Sequence, residues 1–299
     1  MRRILIGCGI ACLLVIVALV AGGIAVGSWV RGQVDTKQVE TLNAELEKRF
    51  GTAENWVPPL DGTLDPARVA LFAAVRDTIA GARKLAAADL ATFTHVAGRD
   101  RPEGRPWIEK VIDVASMAKN GTTMMTSMVN YFTTQQRVLL AHGMGPGEYR
   151  YLYSMAYFGW LQWDPVSQPE VRDALQRASL LREVETARSR YGRLLRTQLE
   201  NQQRELAAKS ARTPAEDAAY ALLKTELEDV AKTDRFPFIG RVPAPVAAVL
   251  EPYRGRLQST LPQEPAEIAL DLFRASRGRR GGFQVDFDDG AGRRSRTAE

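Results

Sequence analysis

The chain has 299 residues, 45% of them hydrophobic and 25% charged, with a formal net charge of +5. That length and apolar content suffice for one large core or two small ones. Nothing suggests a nucleic-acid-binding surface, because Arg2, Arg3 and Arg31 account for three units of the net charge and the remainder is close to neutral.

The first element is an uncharged run, Ile4 to Val30, 27 residues long. About 20 apolar helical residues cross a bilayer, so this run predicts a transmembrane helix with room for tilt. A signal-peptide apolar core is about half as long, and no small-x-small cleavage site ends the run. Leu5-Ile6-Gly7-Cys8 looks like a bacterial lipobox, yet the apolar residues follow Cys8 where a lipobox needs them before it. Met1-Arg2-Arg3 outweighs the mixed charges of 31–40, which puts the N-terminus in the cytoplasm and the bulk outside it. In a bacterium that is the inner membrane, with a periplasmic domain. Gly23 and Gly27, spaced small-xxx-small, would let two anchors pack as a homodimer. Both cysteines, Cys8 and Cys12, fall inside the anchor, so the remaining domain has no disulfide and must be held by its core.

Beyond the anchor (1–32) come a juxtamembrane helix and loop (33–64), an all-α domain (65–275) and a tail (276–299). Start signals recur along the chain. Asp65-Pro66 is an N-cap before a proline, followed by Val69, Phe72, Val75 and Ile79 at helical spacing. Ser167-Gln-Pro-Glu170 and Thr213-Pro-Ala-Glu216 carry capping-box patterns, Gly145-Pro-Gly-Glu148 copies them with glycine as cap, and Pro245 and Pro265 open shorter helices. These signals predict helices at 35–50, 65–97, 105–142, 146–163, 168–209, 213–232, 245–258 and 265–275. The stretches 51–64 and 98–106 read as loops lying over an elongated bundle, and no period-two alternation suggests a sheet. Within 168–209, Arg188, Arg190, Arg193 and Arg196 read as a solvated helix face. The tail is rich in glycine and charge and is expected to be disordered.

Catalytic patterns are sparse. His95 and His142 have no glutamate or second histidine at ligand spacing, and neither a nucleophile elbow nor a phosphate-binding lysine loop occurs. The expectation is therefore no catalytic residue and no cofactor, with Glu148, His142 and the tyrosines as the best remaining candidates. Apart from Met1, every methionine lies between 117 and 155. Met117, Met124, Met125 and Met128 with His142 form a soft donor set that would suit Cu(I) or haem iron; gap-filling beside aromatic rings is the competing account.

Residues 142–165, HGMGPGEYRYLYSMAYFGWLQWDP, hold Tyr149, Tyr151, Tyr153 and Tyr157 of the eight tyrosines, and Trp160 and Trp163 of the five tryptophans. At 100° per residue Tyr149, Leu152, Tyr153, Ala156, Tyr157, Trp160 and Trp163 share a stripe, with Tyr151, Met155 and Phe158 opposite. A helix apolar nearly all round must be enclosed, so the pattern predicts a central core helix. A ligand platform built from His142, Met144, Tyr149, Tyr153 and Trp160 is the functional alternative. The leading expectation is a membrane-anchored scaffold or interaction component of the cell envelope. An extracytoplasmic ligand- or metal-binding protein is the second.

Overall fold

A computed structural model describes residues 37–97 and 107–273, with 96–97 and 107–119 as backbone alone, and the backbone of 275–277 and 283–285. The expected anchor, its Gly23 and Gly27 and the loop 98–106 lie outside the described residues. Among the described residues no helix is long and apolar enough to cross a membrane.

The described domain is all-α, as the capping signals indicate. Its helices are α1 (Lys37–Phe50), α2 (Pro66–Ala97), α3 (Trp107–Ala141), α4 (Pro146–Tyr153), α5 (Pro169–Arg177), α6 (Leu181–Ala208), α7 (Pro214–Thr233), α8 (Ala244–Leu250), α9 (Arg254–Ser259) and α10 (Pro265–Leu272). A short antiparallel pair, Ala275–Arg277 with Phe283–Val285, falls where no structure was expected; the rest of the tail is outside the described residues. The long helices α2 and α3 pack along one another, and α1 lies on α3. Helices α6 and α7 form a second pair, and α10 returns to lie against both α2 and α6.

Local chemistry explains these boundaries. Asp65 Oδ1 accepts the N–H of Ala67 at 2.8 Å, capping α2. Thr213 and Glu216 complete the expected capping box at α7. Helix α3 stops because Gly143 enters the left-handed region (φ +59°), letting the Met144 and Gly143 N–H groups close back on Leu139 and Leu140.

Two expectations need correction. The helix expected at 168–209 is broken into α5 and α6 at Ala178–Leu180, which leaves α6 about 42 Å long. Ser179 takes the left-handed conformation (φ +57°), and the Leu180 N–H closes on Leu175 while Ser179 closes on Gln176. That is the same stop as at Gly143, with serine in place of glycine and buried Leu175 and Leu180 supplying the apolar contact. The capping pattern at Ser167 does not form either. Gln168 is the N-cap without a side-chain cap bond, because the Ser167 hydroxyl donates to Asp164 instead (2.8 Å).

The stretch 51–64 does lie over the bundle. It includes a single 3-10 turn, Ala53–Asn55, and side-chain amides of α6 tie it down. Gln198 donates to the Ala53 carbonyl (2.9 Å), Asn201 to Glu54 (2.7 Å) and Gln202 to Pro59 (2.6 Å).

Candidate functional site

The aromatic segment is central, but it is not one α-helix. Helix α4 gives way at Ser154–Trp160 to a π-helix, where Leu161 N–H bonds Ala156 five residues back. Each π turn takes in an extra residue, so side chains five apart become neighbours. Tyr153 and Phe158 would stand about 140° apart on an α-helix, yet their ring centres are 6.0 Å apart. Phe158, expected on the opposite side, therefore joins Tyr191 (6.1 Å), Trp163 (6.3 Å) and Phe236 (4.4 Å) in one aromatic cluster. From Tyr151 to Gly159 every residue is buried.

The glycines ahead of it serve packing. A Cβ on Gly147 would sit 2.3 Å from Cβ of Trp56 and 3.1 Å from the Ala53 carbonyl, so only glycine lets the 51–64 loop close over α4. Glu148 does not reach back to the cap as a box would. It takes the Arg68 guanidinium, whose Nη2 also donates to the Gly143 carbonyl at 3.0 Å.

Tyr149, Tyr153 and Tyr157, four residues apart, converge on charge buried between α2 and α10. Arg76 and Asp271 have fully buried side chains and Arg83 is 1% exposed. Arg76 grips both Asp271 oxygens, Nη1 to Oδ1 at 2.7 Å and Nη2 to Oδ2 at 2.9 Å. Arg83 Nη1 adds a bond to Oδ1 at 3.0 Å. The Tyr153 hydroxyl donates to Oδ2 at 2.7 Å, while those of Tyr149 and Tyr157 accept from Arg76 Nη1 (3.1 Å) and Nε (3.0 Å). Thr260 donates its hydroxyl to Leu257 O, so Tyr157 donates to Thr260 Oγ1. The Arg76 guanidinium also lies 5.1 Å and 5.0 Å from the ring centres of Tyr153 and Tyr157.

Two guanidiniums face one carboxylate, and the excess charge has an answer in the backbone. The Thr260 carbonyl, at the C-terminal end of α9, accepts from Arg76 (3.1 Å) and Arg83 (2.8 Å), adding partial negative charge where it is needed. Arg83 Nε and the Tyr131 hydroxyl are buried with no partner among the described residues.

Burial and mutual charge move Asp271, Arg76, Tyr153 and Tyr157 away from their ordinary values. Burial alone would raise the Asp271 carboxyl; the two guanidiniums reverse that and hold it at about 2. Burial opposes the charge of Arg76, yet Asp271 keeps it well above its ordinary value. Burial pushes the Tyr153 and Tyr157 hydroxyls up. These bonds make the cluster a clasp joining α2, the aromatic segment, α9 and α10.

The other expected site residues are placed as follows. Trp160 is not beside Tyr153; it lies under the Arg254 guanidinium, 4.2 Å from the ring centre. Met144 and Met128 are completely buried in the main core, Met124 is buried there as well, and Met125 packs against it. The Met117 side chain lies outside the described residues. His142 is half-buried just past the end of α3, its N–H bonded to Val138. His95 is exposed and lines a groove of about 800 Å³ with Lys84, Ala87, Leu180 and Glu267. No group of three or more His, Cys, Asp or Glu able to hold a metal occurs among the described residues. Arg188, expected on a solvated face, is instead bidentate to buried Asp164, Nε to Oδ1 at 2.9 Å and Nη2 to Oδ2 at 2.7 Å.

The arginine clasp was not anticipated, although a signal for it exists. Val69, Phe72, Arg76, Ile79, Arg83, Ala86 and Leu90 follow one 3-4 spacing, which places both arginines on the apolar face of α2. Compared with known proteins, the chain matches no family model, and no curated protein or solved structure is significantly similar to it.

Proposed function

We propose that the chain is a single-pass membrane protein, anchored by Ile4–Val30, whose helical domain lies outside the cytoplasm and acts by binding other envelope components. The observation that carries this reading is the run of 27 uncharged residues, which has the length and composition of a bilayer-spanning helix. Dimerisation of the anchor through Gly23 and Gly27 belongs to the same reading. A binding role for the helical domain is supported by charge that is spent on packing. Arg76, Arg83 and Asp271 join helices to one another, and Glu148 is held by Arg68. Reporter fusions after Glu299 test the topology. A reporter active only outside the cytoplasm should work there, and activity of a reporter that works only inside would overturn the proposal.

A further inference from the structure

The clasp occupies one flank of the aromatic segment; another borders two adjoining cavities. The inner one, of about 50 Å³, is lined by Asn43 of α1, Gln136 of α3, Tyr149 and Arg150 of α4, Tyr191 of α6 and Phe273. The outer one, of about 250 Å³, shares Arg150, Tyr191 and Phe273 and adds Arg190, Arg193 and Glu54. Together they reach roughly 300 Å³, the lower end of ligand-pocket volumes.

Two polar groups of the inner chamber, on Gln136 and Tyr191, are open to a ligand. Gln136 is only 5% exposed, and while its amide nitrogen donates to Asn43 Oδ1 at 2.7 Å, its Oε1 has no partner. A buried amide oxygen left open costs about 1–3 kcal/mol, which a ligand N–H or O–H would recover. The Tyr191 hydroxyl makes no hydrogen bond among the described residues, although its ring is fixed against Tyr153 at 5.2 Å. The outer cavity is electropositive, with Arg150, Arg190 and Arg193 against Glu54. Arg193 is exposed and makes no ion pair among the described residues. A neutral hydrogen-bonding head therefore suits the chamber, and an anionic group suits its mouth.

We propose that the two cavities form one binding site for a small hydroxylated organic anion, its anionic group at Arg193 and Arg150 and its hydroxyl end between Gln136 and Tyr191. Tyr149 links the site to the clasp, since its hydroxyl accepts from Arg76 while its side chain lines the chamber. The proposal stands apart from the membrane reading, because it involves none of residues 1–36.

Calorimetric titration of the full chain in detergent, at near-physiological salt, tests it with four probes. Glycerate and glycerol 3-phosphate carry the same hydroxyl end on a carboxylate and a phosphate; glycerol and inorganic phosphate each carry one half alone. At least one of the two anions should bind with a Kd of about 1 mM or tighter. Glycerol and inorganic phosphate should bind at least tenfold more weakly. Arg193→Glu and Gln136→Leu should each weaken the anion at least tenfold, and Arg193→Glu, being on the surface, keeps the test valid if the core variant misfolds. Neither anion reaching about 1 mM would overturn the site, and so would binding of inorganic phosphate as tight as that of the anions, which marks bulk attraction to arginines.

Discussion

Two flanks of one short segment show opposite uses of buried polar groups. On the clasp side, the Tyr149, Tyr153 and Tyr157 hydroxyls and both Asp271 oxygens are paired. On the chamber side, Gln136 Oε1 has no partner among the described residues, and no hydrogen bond of the Tyr191 hydroxyl occurs among them either. The residue types are similar and the rings touch, so the difference lies in what faces them. A fixed charge pair binds the tyrosine hydroxyls of one flank, and empty volume meets the other. Saturated networks hold elements in register, whereas open ones keep hydrogen-bonding capacity for a ligand.

The sharpest way to break this contrast is Asp271→Ala. It leaves two buried guanidiniums without their carboxylate, and removing one partner of a buried pair costs about 3–5 kcal/mol. Urea unfolding of the purified chain should show that loss at neutral pH, and a loss under about 1 kcal/mol would mean that the cluster is not a clasp. The same residue sets an acid dependence. Its carboxyl titrates at about 2 in the folded chain and near 3.9 when unfolded. The stabilisation is therefore complete above about pH 5 and is lost as pH falls through about 2, amounting to about 2.5 kcal/mol. Asp271→Asn should lack this component of the acid limb, measured as unfolding midpoint against pH.

Gly147→Ala probes the loop that covers α4. The new Cβ would overlap Trp56 and the Ala53 carbonyl, and overpacking of this kind costs about 1–3 kcal/mol. Thermal unfolding should fall accordingly. An unchanged midpoint would show that the 51–64 loop can lift away without consequence.

How much of this was legible in the sequence depends on whether the signal was local. Asp65-Pro66, Gly145-Pro146 and the Thr213 box mark helix starts through their own backbone chemistry, and all three hold. The stop at Ser179 was invisible because its warrant is burial of Leu175 and Leu180, which serine does not announce. The π-helix was missed because a wheel drawn at a fixed angle cannot show an added residue; the packing of Phe158 on Phe236 reveals it. Tyr149 and Tyr153 were singled out as ligand contacts from their density alone. Their partners Arg76 and Asp271 lie 73 and 118 residues away in sequence, so only the fold could separate the clasp from the chamber.

The smallest expected effect separates the flanks most cleanly, because it removes the same atom from two tyrosines whose rings are in contact. Tyr153→Phe loses a hydrogen bond to a buried carboxylate, worth about 1.5–3 kcal/mol. Tyr191→Phe loses a hydroxyl that bonds nothing in the described protein, so its effect on unfolding should stay below about 0.5 kcal/mol. If the two variants lose equal stability, the Tyr191 hydroxyl has a partner in the folded chain and the chamber is not open. If Tyr191→Phe is silent in unfolding yet weakens glycerate or glycerol 3-phosphate binding, the same hydroxyl is assigned to the ligand. The neighbouring ring at 5.2 Å then belongs wholly to the clasp.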